Sequence, residues 1–195
     1  AIAVQPALPA TPTLRSGEVL RCPDLSVGDG MYRSDDGGRT WGHLGLERTR
    51  QIAAIAVDPL DSRRVYVAAL GHPYGPNPAR GVYRSTDGGH TWERVLHTDD
   101  DTGAMDVVIE PGNHRSVYAV LYAARQAPWE NGGALSSKNG LWKSDDGGTT
   151  WRRIGAGLPT GEEGLGRIGI GVCPSDWKRV YAITAGSKSG GLYRS

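Results

Sequence analysis

Phenylalanine is absent from this chain, and its 195 residues include only two cysteines and two methionines. Aromatic bulk therefore has to come from six tryptophans and eight tyrosines, each of which carries a polar atom that wants a partner when buried. Two cysteines, Cys22 and Cys173, make no disulfide framework, and free thiols are the expectation. A charge excess of either sign is missing as well: 22 basic residues against 21 acidic ones leave a net charge of +1. That balance gives no electrostatic case for binding nucleic acid or an acidic membrane surface. No apolar run approaches the ~18 residues of a membrane-crossing helix, so membrane insertion is not expected. No window repeats at a spacing of 3.6, which predicts almost no helix. Glycine, by contrast, is abundant at 29 residues, the composition of a turn-rich β protein.

A motif, Ser-x-Asp-Gly-Gly-x-Thr-Trp, occurs three times. Its defining residues are Ser34, Asp36, Gly38, Thr40 and Trp41, then Ser85, Asp87, Gly89, Thr91 and Trp92, then Ser144, Asp146, Gly148, Thr150 and Trp151. The last residues, Gly191-Leu192-Tyr193-Arg194-Ser195, open a fourth copy. A period of about fifty residues marks a repeat architecture. A second signature travels with the first: Val57-Asp58-Pro59 precedes Val65-Tyr66, Ile109-Glu110-Pro111 precedes Val117-Tyr118, and Val172-Cys173-Pro174 precedes Val180-Tyr181. Val4-Gln5-Pro6 opens an earlier, degenerate unit in which Pro12-Thr13 stands where Val-Tyr is found elsewhere.

Each unit reads as four short strands. In the second unit they are predicted over Ile52–Val57, Val65–Leu70, Gly81–Ser85 and Thr91–Leu96. The first two are continuous apolar runs, the pattern of strands buried on both faces, and the outer two alternate. The short connections force antiparallel neighbours. A four-stranded meander at this period is a propeller blade, so the fold class expected is an all-β, partial β-propeller of about four blades. The blades are expected at 1–43, 50–97, 104–155 and 166–195, the last lacking its outer strand. Remaining blades are expected from further sequence or another chain.

Every residue of the motif has a structural task at the turn between the third and fourth strands. The glycines admit positive φ, the aspartate accepts backbone N–H bonds in its own turn, the hydroxyls satisfy what remains, and the tryptophan packs beneath. These residues resemble the Asp-box, or BNR repeat, of sialidases, sortilin-type receptors, xyloglucan-degrading glycoside hydrolases and a photosystem assembly factor. The overall likeness is to sortilin-N-terminal-like and bacterial "glycosyl hydrolase BNR" propellers. The resemblance implies the fold and leaves the activity open, because these families share the box and differ in function. It also implies a secreted or periplasmic location, although no signal peptide is visible. The arginine triad and Arg-Ile-Pro element of sialidases cannot be assembled from this chain.

In a meander the boxes share one face, and the loops of variable length lie on the other. Those loops are where a ligand is expected. The candidates there are His72, Tyr74, Asn77 and Arg80 in one loop and Trp129, Glu130 and Asn131 in another, which suit a glycan or a protein ligand. Acid gathers in Asp99-Asp100-Asp101 and Glu162-Glu163, with Glu47 and Arg50 in the preceding connection. A glycosidase takes two carboxylates roughly 5–9.5 Å apart, and Glu130 with one of Asp99 to Asp101 is the candidate pair. Solvated turns or a weak Ca²⁺ site at Asp99–Asp101 are the competing readings. No cofactor motif is present, and no metal or cofactor is expected. The sequence thus favours a binding or scaffold module for a protein or glycan, with a glycoside hydrolase as the alternative.

Overall fold

The computed structural model describes the backbone of residues 2–5 and 8–15, and residues 27–72, 74–123, 136–161, 163–186 and 190–195 in full. Strands β1 (Ile2–Gln5), β2 (Leu8–Arg15), β3 (Met31–Arg33) and β4 (Gly42–His43) form the first sheet. The second is β5 (Ile52–Val57), β6 (Val65–Ala69), β7 (Gly81–Ser85) and β8 (Glu93–Leu96). The third is β9 (Thr102–Ile109), β10 (Val117–Ala123), β11 (Gly140–Ser144) and β12 (Arg152–Ile154). The fourth sheet has three strands, β13 (Ile168–Cys173), β14 (Asp176–Thr184) and β15 (Gly191–Arg194). Each sheet is an antiparallel meander in sequence order. The fold is an arc of a β-propeller. Among the described residues the one helical element is a 3₁₀ turn at Glu47–Thr49.

The sheets pack face to face. One core joins Tyr66, Ala68, Val82 and Leu96 of the second sheet to Ala104, Val107, Val117, Ala119 and Leu121 of the third. Another joins Tyr118, Val120 and Leu141 of the third to Ile168 and Ala182 of the fourth. Strands β6 and β10 are buried along their whole length, as middle strands flanked by neighbours on both edges and sheets on both faces. The innermost strand β5 departs from the sequence reading: only Ile52 is fully buried and the rest is half-buried. As an edge strand it has a partner strand on one flank only. Strand β8 also starts later than expected, at Glu93, because Thr91 and Trp92 are held in the box turn.

Three boxes fold alike. Ser34 Oγ donates to Asp36 Oδ1 at 2.7 Å and accepts the Gly38 N–H at 2.7 Å. Asp36 accepts the Thr40 N–H at 2.9 Å and the Thr40 hydroxyl at 2.6 Å. Ser85, Asp87, Gly89 and Thr91 repeat these contacts at 2.7, 2.8, 2.9 and 2.6 Å. Ser144, Asp146, Gly148 and Thr150 do so at 2.7, 2.7, 2.8 and 2.6 Å. The second glycine of each pair has φ of 89°, 96° and 87°, a region closed to most side chains. Hydrogen bonds led by the threonine hydroxyl hold all three carboxyls well below the usual carboxylate range.

The boxes also join one sheet to the next. Arg33 donates to the Gly88 carbonyl at 2.8 Å, and Arg84 to the Gly147 carbonyl at 2.7 Å. The indole N–H of Trp92 reaches back to the Leu44 carbonyl at 2.7 Å. Trp151 packs into the core shared by the second and third sheets. Trp41, in the first unit, is 37% exposed and bonds within its own turn to the Gly38 carbonyl. Gly88 N–H donates to Arg63 O and Gly147 N–H to Arg115 O, so the boxes and the connections between first and second strands share one face.

Candidate functional site

The opposite face is built on the loop 71–80, which Arg80 organises from within. Arg80 is fully buried, and its guanidinium donates to the carbonyls of His72 at 2.7 Å, Gly75 at 3.2 Å and Asp101 at 3.1 Å. Gly71 makes room for it: a Cβ there, at φ 74°, would stand 2.7 Å from Arg80 Cγ. Asn77 is buried too, its Oδ1 accepting the Ala79 N–H at 2.8 Å while its own N–H donates to Asp100 O at 2.8 Å. These contacts revise the sequence reading of both residues. Arg80 and Asn77 shape the loop and join it to the Asp99–Asp101 connection; neither offers its side chain at the surface. A buried cation surrounded by carbonyls stays buried only because each is hydrogen-bonded.

Tyr74 stands at the surface of this loop, at 40% exposure. His72 beside it is half-buried, and burial, then Arg80 and Arg50, push its pKa below the usual histidine value. It is held toward the neutral imidazole. Trp129, Glu130 and Asn131 lie outside the described residues, as do Cys22 and Glu162.

The acidic residues of this face are largely committed to local structure. Asp99 accepts the Asp101 N–H at 2.8 Å and pairs with Lys138 at 2.7 Å. Burial raises its pKa, but the Lys138 bond and its other hydrogen bonds outweigh that and keep it low. Asp100 lies 3.7 Å from His97 Nε2, and His97 Nδ1 lies 3.2 Å from the Arg80 carbonyl. Glu163 caps its own turn, accepting the Thr160 N–H at 2.8 Å. Glu47 pairs with His43 at 3.5 Å. Among the described residues no group of three or more His, Cys, Asp or Glu side chains is placed to hold a metal ion.

Asp106 has a different character and was missed from sequence. It lies mid-way along β9, between the apolar Met105 and Val107, in a stretch read simply as strand. The signal was there: an acid interrupting an otherwise apolar inner strand. Its carboxylate accepts the N–H of Val107 at 2.9 Å and that of Ile170 in the next sheet. Burial dominates and pushes its pKa up, favouring the protonated acid. A cavity of about 500 Å³ opens between the third and fourth sheets, lined by Ser137, Arg153, Leu158, Thr160 and Ile168 among others.

Residues 29–158 match the model of the Sortilin-Vps10 family, described as sortilin, neurotensin receptor 3. The chain belongs to the Sortilin-Vps10 family. The relatives of this Sortilin-Vps10 chain include a xyloglucanase of Acetivibrio thermocellus, 31% identical over 139 residues, covering 64% of the chain and 15% of that protein. A xyloglucanase of Hypocrea jecorina is 31% identical over 144 residues, covering 70% of the chain and 14% of the relative. The chain thus spans about a seventh of the length of these relatives. Among solved structures, an ancestral GH74 enzyme superposes over the whole chain and 22% of its own length, with a TM-score of 0.73 at 18% identity. The GH74 xyloglucanase of Xanthomonas campestris does so over 28% of its length, at 0.69 and 21%. These structural likenesses establish the propeller fold; the sequence relatives make the chain related to glycoside hydrolases.

Proposed function

We propose that this propeller arc belongs to a polysaccharide-acting glycoside hydrolase and binds a β-glucan of the xyloglucan class on the face opposite the boxes. The observation that carries the reading is Tyr74. An amphipathic ring stands exposed on a loop whose shape is fixed from inside by a fully buried arginine. A platform held rigid before the ligand arrives loses little entropy on binding, and a tyrosine can stack on a sugar face while its hydroxyl bonds a sugar hydroxyl. The sequence relatives act on xyloglucan by name, which supports the substrate class.

Asp106 is the carboxyl group whose surroundings suit a proton donor, since burial favours its neutral form. A glycosidase needs a second carboxylate across the scissile bond. Asp100, exposed beside His97, and Glu130 are the candidates for that role. His72 and Tyr74 position the sugar, and Arg80 and Asn77 hold their loop. Recognition without turnover is the second reading, for a glycan or a protein ligand. It is favoured by the engagement of Asp99 with Lys138 and of Glu163 with Thr160, which leaves fewer acids for chemistry.

The test is reducing-end release from xyloglucan, mixed-linkage β-glucan, xylan and sialylated glycans, with binding read in the same samples. Turnover of xyloglucan that Asp106→Asn removes while binding persists supports the hydrolase. Binding without turnover supports the recognition module. Absence of both on every glycan overturns the glycan reading.

A further inference from the structure

A groove of about 400 Å³ lies at the rim of the face opposite the boxes, between the turn that leaves the first sheet and the end of the loop 71–80. Leu46, Glu47 and Arg48 line one wall, and Pro78, Tyr83 and Arg94 the other.

Both walls are held by contacts within the protein. Thr49, buried in the turn, donates its hydroxyl to the Leu46 carbonyl at 2.6 Å and its N–H to the same oxygen at 3.0 Å. Leu46 and Arg50 flank it at φ of 67° and 57°, which residues with a side chain seldom adopt. The Arg48 carbonyl accepts the Asn77 amide at 3.5 Å, clasping the turn to the loop that carries Pro78. Across the groove, Arg94 donates to the Pro78 carbonyl, and the Tyr83 hydroxyl donates to the Ala79 carbonyl at 3.0 Å.

The charge here is one-sided. Arg48 is exposed, and among the described residues its guanidinium has no hydrogen bond or ion pair. Arg94 is exposed too and, among the described residues, has no carboxylate partner. Glu47, the one acid in the lining, lies 3.5 Å from His43 Nδ1. Two guanidinium groups thus share one groove with the apolar surfaces of Leu46, Pro78 and Tyr83, in a chain whose charges otherwise balance.

A planar guanidinium suits a carboxylate, which accepts two parallel N–H bonds from it. A bare inorganic anion would leave the apolar wall and most of the volume unused, whereas the groove has the size of a small-ligand site. A pyranose ring brings both a C–H face for Leu46, Pro78 and Tyr83 and, when oxidised at its exocyclic carbon, a carboxylate for the arginines. Pro78 belongs to the loop that exposes Tyr74, so one glycan laid along that loop can meet both. We propose that this groove is a subsite for a uronosyl residue of the bound glycan, its carboxylate held between Arg48 and Arg94. The proposal rests on the glycan reading of this face and adds an acidic sugar to the ligand.

The test uses the whole 195-residue chain, an oligosaccharide bearing one glucuronosyl residue, and the same oligosaccharide with that carboxyl reduced to the alcohol. Binding is read by isothermal titration calorimetry. The acidic form is expected to bind at least about tenfold more tightly at low salt, and the advantage is expected to shrink in about 1 M NaCl, where the Debye length is about 3 Å. Arg48→Gln is expected to remove the advantage and leave binding of the reduced form and the melting temperature unchanged, since that side chain has no partner to lose; Arg94→Gln is expected to remove it as well. In Tyr74→Ala both forms weaken and their ratio is kept. Equal binding of the two forms, or an advantage that survives Arg48→Gln, overturns the subsite and leaves the glycan reading standing. Binding of neither form overturns both. Inorganic phosphate that binds as tightly as the acidic oligosaccharide, and is lost in Arg48→Gln, assigns the groove to a free anion and overturns the sugar assignment.

Discussion

The Tyr66 hydroxyl and the Gly147 carbonyl meet at 2.8 Å across 81 residues of sequence, tying the second sheet to the box of the third unit. Arg84 donates to the same oxygen, so one carbonyl receives two clasps from one sheet. In the first unit Thr13 pairs with Arg33 as Tyr66 pairs with Arg84, so a threonine stands at the tyrosine's position. Among the described side chains, the first-to-second junction carries the arginine clasp from Arg33 to Gly88 without the tyrosine one.

Removing the Tyr66 clasp with Tyr66→Phe is expected to cost about 1 kcal/mol, the net worth of one hydrogen bond. Arg84→Met is expected to cost a similar amount. The double variant is expected to depart from additivity by about 0.5–1 kcal/mol, because both groups share one acceptor. Urea denaturation of the four proteins measures the cycle.

The boxes make the protein acid-sensitive. Asp36, Asp87 and Asp146 have folded pKa values below those of an unfolded aspartate, chiefly through their threonine hydroxyls. Their contribution is therefore present above the unfolded value of about 3.9 and is lost as pH falls below it. Melting temperature is expected to hold on moving from pH 7 to pH 5 and to drop below pH 4. Asp87→Asn is expected to lower the melting temperature at neutral pH and to flatten the acid limb.

Asp106 should show the opposite sign. Its folded pKa is raised by burial, so its favourable contribution is complete below the unfolded value and is lost as pH rises through the folded one. Asp106→Asn removes a buried ionisation. It is expected to raise the melting temperature at neutral pH with little change at pH 3, while abolishing any turnover. Calorimetry at both pH values separates this from a simple packing effect.

Two sheets come within a side chain's reach at Gly103. A Cβ there would stand 2.3 Å from the Leu70 carbonyl oxygen, which is backbone and cannot rotate away. Gly103→Ala is expected to destabilise by about 1–3 kcal/mol through overpacking. A substitution at the exposed Gly112, where a Cβ meets nothing, serves as a steric control, its φ of 81° being the remaining cost.

Arg80→Met keeps volume and removes the cation. With three carbonyls losing their donor, stability is expected to fall by at least about 2 kcal/mol, and glycan binding to weaken as Tyr74 loses its fixed position. Denaturation together with binding measures both, and binding unchanged in the folded variant would separate the loop's shape from recognition.

The repeat was legible because each box is a local device. Ser85, Asp87, Gly89 and Thr91 satisfy one another within a single turn, so their spacing in sequence is their geometry. Strand order followed from the short connections. The roles of loop residues did not follow, because burial is decided by distant partners. Arg80 looks like a surface cation until the carbonyls of His72, Gly75 and Asp101 close around it. Asn77 looks like a presented amide until its Oδ1 takes the Ala79 N–H and its Nδ2 turns to the Arg48 carbonyl. Asp106 hides in a strand pattern, and its pKa is raised by burial, against the opposing hydrogen bond from Ile170 in a neighbouring sheet more than sixty residues on. The late start of β8 shows the same limit on a smaller scale, since the box turn retains Thr91 and Trp92.

The central claim is that the face opposite the boxes recognises a glycan. Amide hydrogen exchange of the chain with and without a xyloglucan oligosaccharide tests it most directly. The account predicts added protection in residues 71–80 and 97–102, reduced by Tyr74→Ala, with the box turns at 34–41, 85–92 and 144–151 unchanged. Protection confined to the box turns, or none at saturating oligosaccharide, would contradict it.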